Sequence, residues 1–494
     1  MRNEIYADYS KTFILPPSLE EWVPSTHPAR FIREVVESFD LKGLGFKSRK
    51  SEEGRPSYSS NLLLKIWFYG LYNKITSTRD LENACMSHLP LIWLTGQNYP
   101  DHNTLWRFFR NNRKVIYKLF NKTVRLAIMN DLVGFYLQAL DGTKIAAHVS
   151  RHHSINKQDL EQLSDMLDQS LEEVFTSVEI SEDKLKHHPG HHLPKHLEDK
   201  KKLRALIKHG LSELSIDEQI ELKSEVEEQL CELEENDTKH LSLTDRESRM
   251  MKNDGKKKFS YNAQAVVDSK NQVIVGASVT NEESDNHQLK TMLDKANQTT
   301  GQKAELTCGD GGYFSGEGLS AVEEAGYNVA INLGDNDKEK KSPYSKDHFI
   351  YDREHDLYVC PAKKRLLFQR EKRNKKKKYV VRVYSCKEYQ NCPFRDKCSK
   401  DPRGRKIERT PYDDIVNHHK ELGQNDKRYR EALSCRKVIV EPVFGWLKEN
   451  YGFRRWNFRG LESVRAQWYM MCSLINLKKL YRMWSEGKLK FEGC

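Results

Sequence analysis

The sequence predicts an α/β protein in which a mixed-sheet core follows an all-helical N-terminal part and is interrupted by two long insertions. Three observations lead to this fold class. Apolar residues recur at helical spacing through roughly the first 130 residues, and short apolar runs that end in turn residues begin near Phe135. A leucine-rich acidic segment and a basic segment with four cysteines separate the later runs. We place the helical part at 1–133, the core at 134–484, a helical insertion at 151–244 and a cysteine-containing insertion at 338–410.

Composition narrows the class of protein. The chain has 494 residues, with 82 Lys and Arg against 71 Asp and Glu and a formal net charge of +11. That length exceeds what one small core supports. No apolar run is long enough to span a bilayer, residues 1–5 lack the apolar core of a secretory signal, and ten cysteines are too few for a disulfide scaffold. We therefore expect a soluble, cytoplasmic protein with no membrane segment, and the basic balance favours a polyanionic partner.

The N-terminal helices are predicted in order. A helix begins at Asn61 and breaks at Asn73, and Ser77-Thr78-Arg79-Asp80 is a start signal for a second one. A third begins after Pro100-Asp101, with Asn103 or Thr104 as its N-cap. Its inward residues would be Leu105, Phe108, Ile116 and Leu119.

The third helix also carries a basic stripe, which consists of Arg107, Arg110, Lys114 and Lys118 at spacings of three, four and four. A solvated helix surface explains such a stripe. A helix-turn-helix whose last helix meets DNA, with Arg107 and Arg110 near bases or phosphates, explains it equally well. The pattern leaves both interpretations open.

The core elements follow from Phe135 onwards. The expected order is strand, hairpin, helix, strand, helix, strand and a late helix, which is the order of a ribonuclease-H-like arrangement. The strands are predicted at 135–140, 261–268, 273–279, 304–308 and 328–333, and the closing helical stretches at 441–450 and 461–483.

The helical insertion has a regular apolar seam. Leucines recur through an acidic segment from about Ile155 to Asp237, which predicts coiled-coil-like packing. The seam residues are Leu160, Leu163, Leu167, Leu171 and Val174. A histidine-rich tract at 186–192 contains Pro189-Gly190, which favours a solvated turn over a metal site. We expect this insertion to pack against protein, such as another protomer, rather than DNA.

The second insertion contains Cys360, Cys386, Cys392 and Cys398, with 25, 5 and 5 residues between them. Four thiolates can hold Zn²⁺ tetrahedrally, although structural zinc pairs usually have two to four intervening residues. Reduced cysteines in a basic loop are the alternative. The nearby lysines 375–378 would add unspecific attraction to phosphate.

Three acidic residues stand at the ends of predicted core elements. Asp141 and Asp310 end strands, and Glu441 opens a helix with Pro442 in its first turn. Each is also a good turn or helix-start residue without any catalytic role. If strand ends bring the three together, their mutual repulsion requires divalent cations, and carboxylates suit Mg²⁺. Two such ions support in-line displacement at phosphorus.

Basic residues follow the third acid. Lys448 lies seven residues after Glu441, so a continuous α-helix would place both on one face. Such a lysine is well placed to contact a phosphate, and Arg454 and Arg455 extend the positive surface. We predict that all three contact DNA.

Five motifs run through nearly the whole chain. They are Pro100-Asp101-His102-Asn103-Thr104-Leu105, Leu140-Asp141-Gly142-Thr143-Lys144, Tyr261-Asn262-Ala263-Gln264, Gly309-Asp310-Gly311-Gly312-Tyr313-Phe314 and Val440-Glu441-Pro442-Val443-Phe444-Gly445. With them the chain resembles an insertion-sequence transposase of the DDE class, in which a helical DNA-binding domain precedes an RNase-H-like catalytic domain.

The resemblance implies a role for each matching residue. Asp141, Asp310 and Glu441 match the catalytic triad that binds Mg²⁺ or Mn²⁺, and Lys448 matches the lysine of the Tyr-x2-Arg-x3-Glu-x6-Lys signature. Lys437 and Ser434 stand where that signature has arginine and tyrosine.

The resemblance also implies an activity. It is cleavage at the ends of a mobile element followed by strand transfer into target DNA, by a dimer associated with the nucleoid. The alternatives are an RNase-H-like nuclease without strand transfer and an inactive DNA-binding derivative.

Overall fold

We describe the protein from a computed structural model, and its described residues are 18–47, 56–150, 153–177, 200–211, 214–333, 343–373 and 379–491. The histidine-rich tract at 186–192 and the lysines at 375–378 lie outside them. Within the described ranges, no helix combines the length and apolar character needed to cross a membrane.

The N-terminal part is helical, as predicted. The 3₁₀ turn Leu19–Trp22 precedes α1 (Pro28–Glu37), α2 (Ser60–Tyr72), α3 (Thr78–Ser87), α4 (Leu89–Thr95), α5 (His102–Asn112) and α6 (Ile116–Met129). The predicted start signal of α3 is confirmed, since the Ser77 side chain accepts a hydrogen bond from the amide of Asp80 at 3.5 Å. The N-cap of α5 is Asp101 rather than Asn103 or Thr104, because its carboxylate accepts from the Thr104 amide at 2.6 Å.

The predicted third helix is in fact two helices, α5 and α6. Asn112 ends α5, and its buried side chain donates to the Phe108 carbonyl at 2.8 Å and accepts from the Lys47 amide at 2.8 Å. These bonds fix Asn112 at a helix end, and Lys114 lies in the connection between the two helices. Lys114 therefore does not share a continuous helical face with Arg107 and Arg110.

A mixed sheet forms the centre of the molecule. Its strands are β1 (Gln138–Ala146), β4 (Arg249–Asn253), β5 (Lys256–Asp268), β6 (Ile274–Thr280), β7 (Thr307–Gly309) and β8 (Val329–Ile331). The order is β4-β5-β1-β7-β8, and β6 also pairs with β5. β5 is antiparallel to β1 and β6, whereas β7 is parallel to both β1 and β8. Helices α10 (Gln288–Thr300) and α11 (Gly316–Glu324) connect the later strands.

The first strand differs from its prediction. It runs on through Asp141 to Ala146 instead of ending at Leu140, because β5 pairs with all of it and places Ala265 opposite Asp141. The parallel pairing with β7 does stop at Leu140, which lies opposite Gly309. Asp141 is therefore inside a strand, but just beyond the edge of the parallel pair.

Glu441 does not open a helix. It lies near the C-terminal end of α14 (Lys427–Gly445), which begins after the N-cap Asp426 and follows α13 (Asp413–Asn425). Pro442 is inside α14 and cannot donate to the Val438 carbonyl. The Gln272 side chain donates to that carbonyl at 3.0 Å instead, so the β5–β6 hairpin compensates for the proline.

One apolar core joins the N-terminal helices to the sheet. The last helix, α15 (Leu461–Ser485), is buried along most of its length and contacts α6, α2 and β6. Buried Asn476 ties it to the sheet, since its amide accepts from the Ile274 N–H and donates to the Ile274 carbonyl, both at 2.9 Å. The helical part and the sheet are therefore packed together.

The two inserted segments have small cores of their own. The first contains β2 (Ser154–Asn156), α7 (Lys157–Ser177), α8 (Lys200–His209), α9 (Ile216–Glu235) and β3 (His240–Ser242). The predicted leucine seam is buried at the four described positions, Leu160, Leu163, Leu167 and Leu171. The second forms a sheet of β9 (Ile350–Asp352), β10 (Leu357–Val359), β11 (Arg365–Arg373), β12 (Val380–Cys386) and β13 (Lys406–Arg409), with the short α12 (Arg395–Cys398).

We expect Asn476→Leu to lower the free energy of unfolding by about 2–4 kcal/mol, because it leaves a buried N–H and a buried carbonyl of Ile274 without partners. Chemical denaturation followed by circular dichroism measures this loss. Asn425→Leu, at the exposed end of α13, is the matched control. Equal stability of the two variants would contradict the proposed anchor.

Candidate active site

Asp141 and Asp310 lie next to each other on neighbouring parallel strands. Leu140 and Gly309 are the last paired residues of β1 and β7, and each aspartate immediately follows one of them. Asp310 is exposed, and its carboxylate accepts from the Gly311 amide at 2.6 Å. The prediction that the two strand-associated acids come together is therefore supported by the pairing register.

Arg436 neutralises one of these acids. Its guanidinium donates to the carboxylate of Asp141 at 2.7 Å, and the two side chains are only 13% and 20% exposed. Burial raises the pKa of Asp141, and the negative charge of Asp310 raises it too, whereas Arg436 and the Gly142 amide lower it. Because burial dominates, the net shift is upwards. Sequence reasoning missed Arg436.

Glu441 is exposed near the C-terminal end of α14. At 100° per residue it lies about 140° around this helix from Arg436, whose side chain points to Asp141. In the part of the chain that the structure describes, no group of three or more His, Cys, Asp or Glu side chains is positioned to hold a metal ion. The structure thus brings two of the three predicted acids together.

A polar network lies on the other side of β1. Asp285, in the loop between β6 and α10, accepts from the side chains of Asn262 and Gln264, each at 2.6 Å, and from Lys144 at 3.2 Å. The Tyr313 hydroxyl donates to the side-chain oxygen of Gln264. Burial raises the pKa of Tyr313 well above its usual value, and the charges of Asp285, Asp141 and Asp310 add to this. Four members of this group, Asn262, Gln264, Lys144 and Tyr313, lie in the motifs found in the sequence, but Asp285 does not.

Gly142 is required by this network. A Cβ atom at that position would lie 2.4 Å from the side-chain nitrogen of Gln264 and 3.0 Å from the side-chain oxygen of Asn262. A larger residue therefore cannot follow Asp141 without displacing both amides. This close approach explains the Asp-Gly sequence better than the predicted turn does, since Gly142 is inside β1.

The predicted single α-helix from Glu441 to Lys448 is not continuous. α14 ends at Gly445, and Lys448 lies in a π-helical turn, Trp446–Asn450, so the seven-residue spacing does not follow one α-helix. Burial lowers the pKa of Lys448. Arg454 pairs with Glu449 at 2.5 Å, and Arg455 donates to the Val149 carbonyl at 2.6 Å, beside the end of β1.

The N-terminal basic residues are on the surface. Arg107 and Arg110 are exposed on α5, and Arg107 lines a polar cleft with Lys47, Tyr58 and Asn111. Lys114 is 79% exposed and lies 3.9 Å from Glu462. Both arginines are thus available to an external partner.

The four cysteines of the second insertion converge on one cavity, which Tyr344 and Phe349 also line. Cys360, Cys386, Cys392 and Cys398 are all free thiols. Burial raises the pKa of Cys386 and Cys398. Among the residues that the structure describes, no group of three or more His, Cys, Asp or Glu side chains is positioned to hold a metal ion, so the zinc prediction has no support here.

Two family models match parts of the chain. A family model described as "Transposase DDE domain" matches residues 359–481, and one described as "Transposase domain (DUF772)" matches residues 17–111. Together they indicate an insertion-sequence transposase of the DDE class. No curated protein matches the chain.

The two matches cover different parts of the chain. The first spans Arg436, Glu441 and Lys448, and the second spans α1–α4 and most of α5. Asp141 and Asp310 lie between them, and their assignment depends on the strand register instead.

We expect Arg436→Met to raise the pKa of Asp141 further, because it removes a positive charge that favours the ionised carboxylate. The midpoint of the Asp141 titration, followed by carboxyl ¹³C NMR of the protein, would then lie at higher pH. Arg428→Met is the control, since it removes an exposed arginine of the same helix that pairs with Glu305. An unchanged Asp141 titration in Arg436→Met would show that the ion pair does not form in solution.

Proposed function

We propose that this transposase cuts DNA at the ends of an insertion sequence and joins the freed end to target DNA, with Asp141, Asp310 and Glu441 as its acidic residues. The observation that carries the proposal is the neighbouring position of Asp141 and Asp310 beyond the β1–β7 pairing. The strand order β5-β1-β7-β8, with β6 beside β5, supports an RNase-H-like core.

The aspartate pair fits a divalent cation. DDE transposases use such ions, and Asp141 and Asp310 offer hard carboxylate oxygens. Burial raises the pKa of Asp141 and the charge of Asp310 adds to this, so a nearby cation would favour its ionised form. When bound, Mg²⁺ or Mn²⁺ would activate the attacking oxygen and stabilise the leaving oxygen. Asp141 and Asp310 would hold it. Glu441 is on α14, the helix that brings Arg436 to Asp141, and would be the third ligand.

Basic residues near the aspartate pair would bind and position the DNA. Arg436 balances the charge of Asp141, and its planar guanidinium is suited to a phosphate oxygen as DNA approaches. Lys448, Arg454 and Arg455 are proposed to hold the DNA backbone beyond α14. A phosphate beside Lys448 would favour its charged form, which burial disfavours.

The helical part is proposed to recognise the ends of the element. Arg107 and Arg110 present their guanidinium groups on the exposed face of α5, where phosphates and base edges can reach them. Because two ends must be cut and joined, we propose that a homodimer binds them as a pair. Lys114 would contribute a weaker contact, since Glu462 is 3.9 Å from it.

We expect Asp141→Asn and Asp310→Asn each to reduce cleavage of end-containing DNA by at least about 10²–10³-fold, because each removes a carboxylate that would hold the cation stabilising charge at the reacting phosphate. Glu441→Gln should reduce it as well if α14 brings this residue to the pair. The assay uses element-end duplexes with Mg²⁺ or Mn²⁺, and gel shifts show whether binding is retained. Asp131→Asn, on an exposed turn, is the matched control.

The products of the same assay decide between activities. Joined strand-transfer products support the proposal, whereas breaks without joining would favour a nuclease. Full cleavage by Asp310→Asn would remove that residue from the site. Binding with no cleavage by the parent protein, under any divalent cation, would indicate a DNA-binding derivative.

We expect Arg107→Ala and Arg110→Ala each to weaken binding of end DNA and to reduce the slope of log affinity against log salt by about 1, because each phosphate contact releases roughly one counterion. Fluorescence anisotropy at several salt concentrations measures both quantities. Lys223→Ala, in the acidic helical insertion, is the control because Lys223 pairs with Asp168. The same affinity and slope as the parent would exclude α5 from the DNA interface.

A further inference from the structure

Asp285 is the acceptor on which a buried network converges. One of its carboxylate oxygens accepts from Asn262 and Gln264, at 2.6 Å each, and the other accepts from Lys144 at 3.2 Å. Asn262 and Gln264 are fully buried, and the Asp285 and Lys144 side chains are each 19% exposed. Three donors thus compensate the cost of placing this carboxylate inside the protein.

The carboxylate determines how both amides are oriented. An ionised aspartate only accepts hydrogen bonds, so Asn262 and Gln264 must turn their NH₂ groups towards it. Their oxygens then face elsewhere. The oxygen of Asn262 accepts from Gln264 at 2.9 Å, and the oxygen of Gln264 accepts from the Tyr313 hydroxyl. A neutral amide at position 285 would not impose this orientation.

The oriented side chains contact chain segments next to both aspartates of the site. Tyr313 closes the 3₁₀ turn Gly311–Tyr313 directly after Asp310, and its amide donates to the Asp310 carbonyl at 3.1 Å. On the other side, the amides of Gln264 and Asn262 fill the space over Gly142, next to Asp141. The network therefore contacts the backbone beside one acid and the turn that carries the other.

The strand register places the network on the face of the sheet opposite Asp141. Gly142 and Lys144 lie opposite Gln264 and Asn262, so their side chains share one face of the sheet. Asp141 lies on the other face, where it meets Arg436. Asp285 therefore does not compete with Asp141 for Arg436, and its own charge is balanced by Lys144 at 3.2 Å.

We propose that Asp285 is a positioning residue for the Asp141–Asp310 pair, acting through Gln264 and Tyr313. This inference rests on the proposed function, because its effect is the fit of the pair to a divalent cation. Residues one step behind metal ligands typically change affinity or activity by about 10–100-fold when they are altered.

The test compares Asp285→Asn and Tyr313→Phe with the parent and with Asp131→Asn. The first variant removes the charge that orients both amides, and the second removes only the hydroxyl that holds Gln264. Mn²⁺ binding to the metal-free protein, measured by electron paramagnetic resonance without DNA, should weaken about tenfold or more in both variants. Cleavage should fall with a higher Mn²⁺ concentration for half-maximal rate, while end-DNA affinity stays at the parent value.

A double mutant separates positioning from independent structural damage. If Asp285 acts through Tyr313, then Asp285→Asn combined with Tyr313→Phe should lose little more Mn²⁺ affinity than the worse single variant. Additive losses would overturn this route, and parent-like Mn²⁺ affinity in both single variants would overturn the proposal. If Asp285→Asn does not fold, the Mn²⁺ affinity of Tyr313→Phe alone tests the proposal, and a parent-like affinity would overturn it.

Asp310→Asn distinguishes this inference from the proposed function. Lost Mn²⁺ binding in Asp310→Asn with parent-like Asp285→Asn and Tyr313→Phe would overturn only the positioning role. Parent-like Mn²⁺ binding and cleavage in Asp310→Asn would overturn the proposed function, and the positioning role with it.

Discussion

The parallel pairing of β1 with β7 is the constraint on which the candidate site depends. It stops at Leu140 and Gly309, so that Asp141 and Asp310 begin side by side where the parallel strands separate. Asp141 is largely buried, which raises its pKa, and the negative charge of Asp310 adds to this. Arg436 supplies positive charge to Asp141, and a divalent cation at the pair is the proposed supplement.

The two faces of the sheet carry different groups next to Asp141 and Asp310. On one face, α14 brings Arg436 to Asp141, and the proline inside that helix is tolerated because Gln272 donates to the carbonyl it leaves free. On the other face, Asp285 collects three donors and connects to the turn after Asp310 through Gln264 and Tyr313. The first arrangement adjusts charge, and the second fixes geometry. Apart from Asp141 itself, the acid motifs contribute only Pro442 to the first arrangement and only Lys144 and Tyr313 to the second.

Much of the architecture could be predicted from local patterns, and the failures have physical causes. The start of α3 at Ser77 and the β5–β6 hairpin depend on neighbouring residues, and both were predicted correctly. The extent of β1 was wrong because β5, more than a hundred residues later, pairs with it through Asp141. The start of α14 was wrong because Pro442 resembles a first-turn proline, whereas a distant glutamine makes it tolerable inside the helix.

Arg436 and Asp285 were missed because only the folded chain brings them near Asp141 and Asp310. The position of Glu441, exposed and turned away from Arg436, also follows from the helix phase of α14 rather than from its motif.

Crystals of the protein soaked with Mn²⁺ provide the most direct test, because anomalous scattering locates the ion without any assumption about activity. If the register of β1 and β7 builds a cation site, the strongest anomalous peak will lie within bonding distance of carboxylate oxygens from both Asp141 and Asp310. A saturating soak that leaves Asp141 paired with Arg436, and no Mn²⁺ at Asp310, would contradict the account.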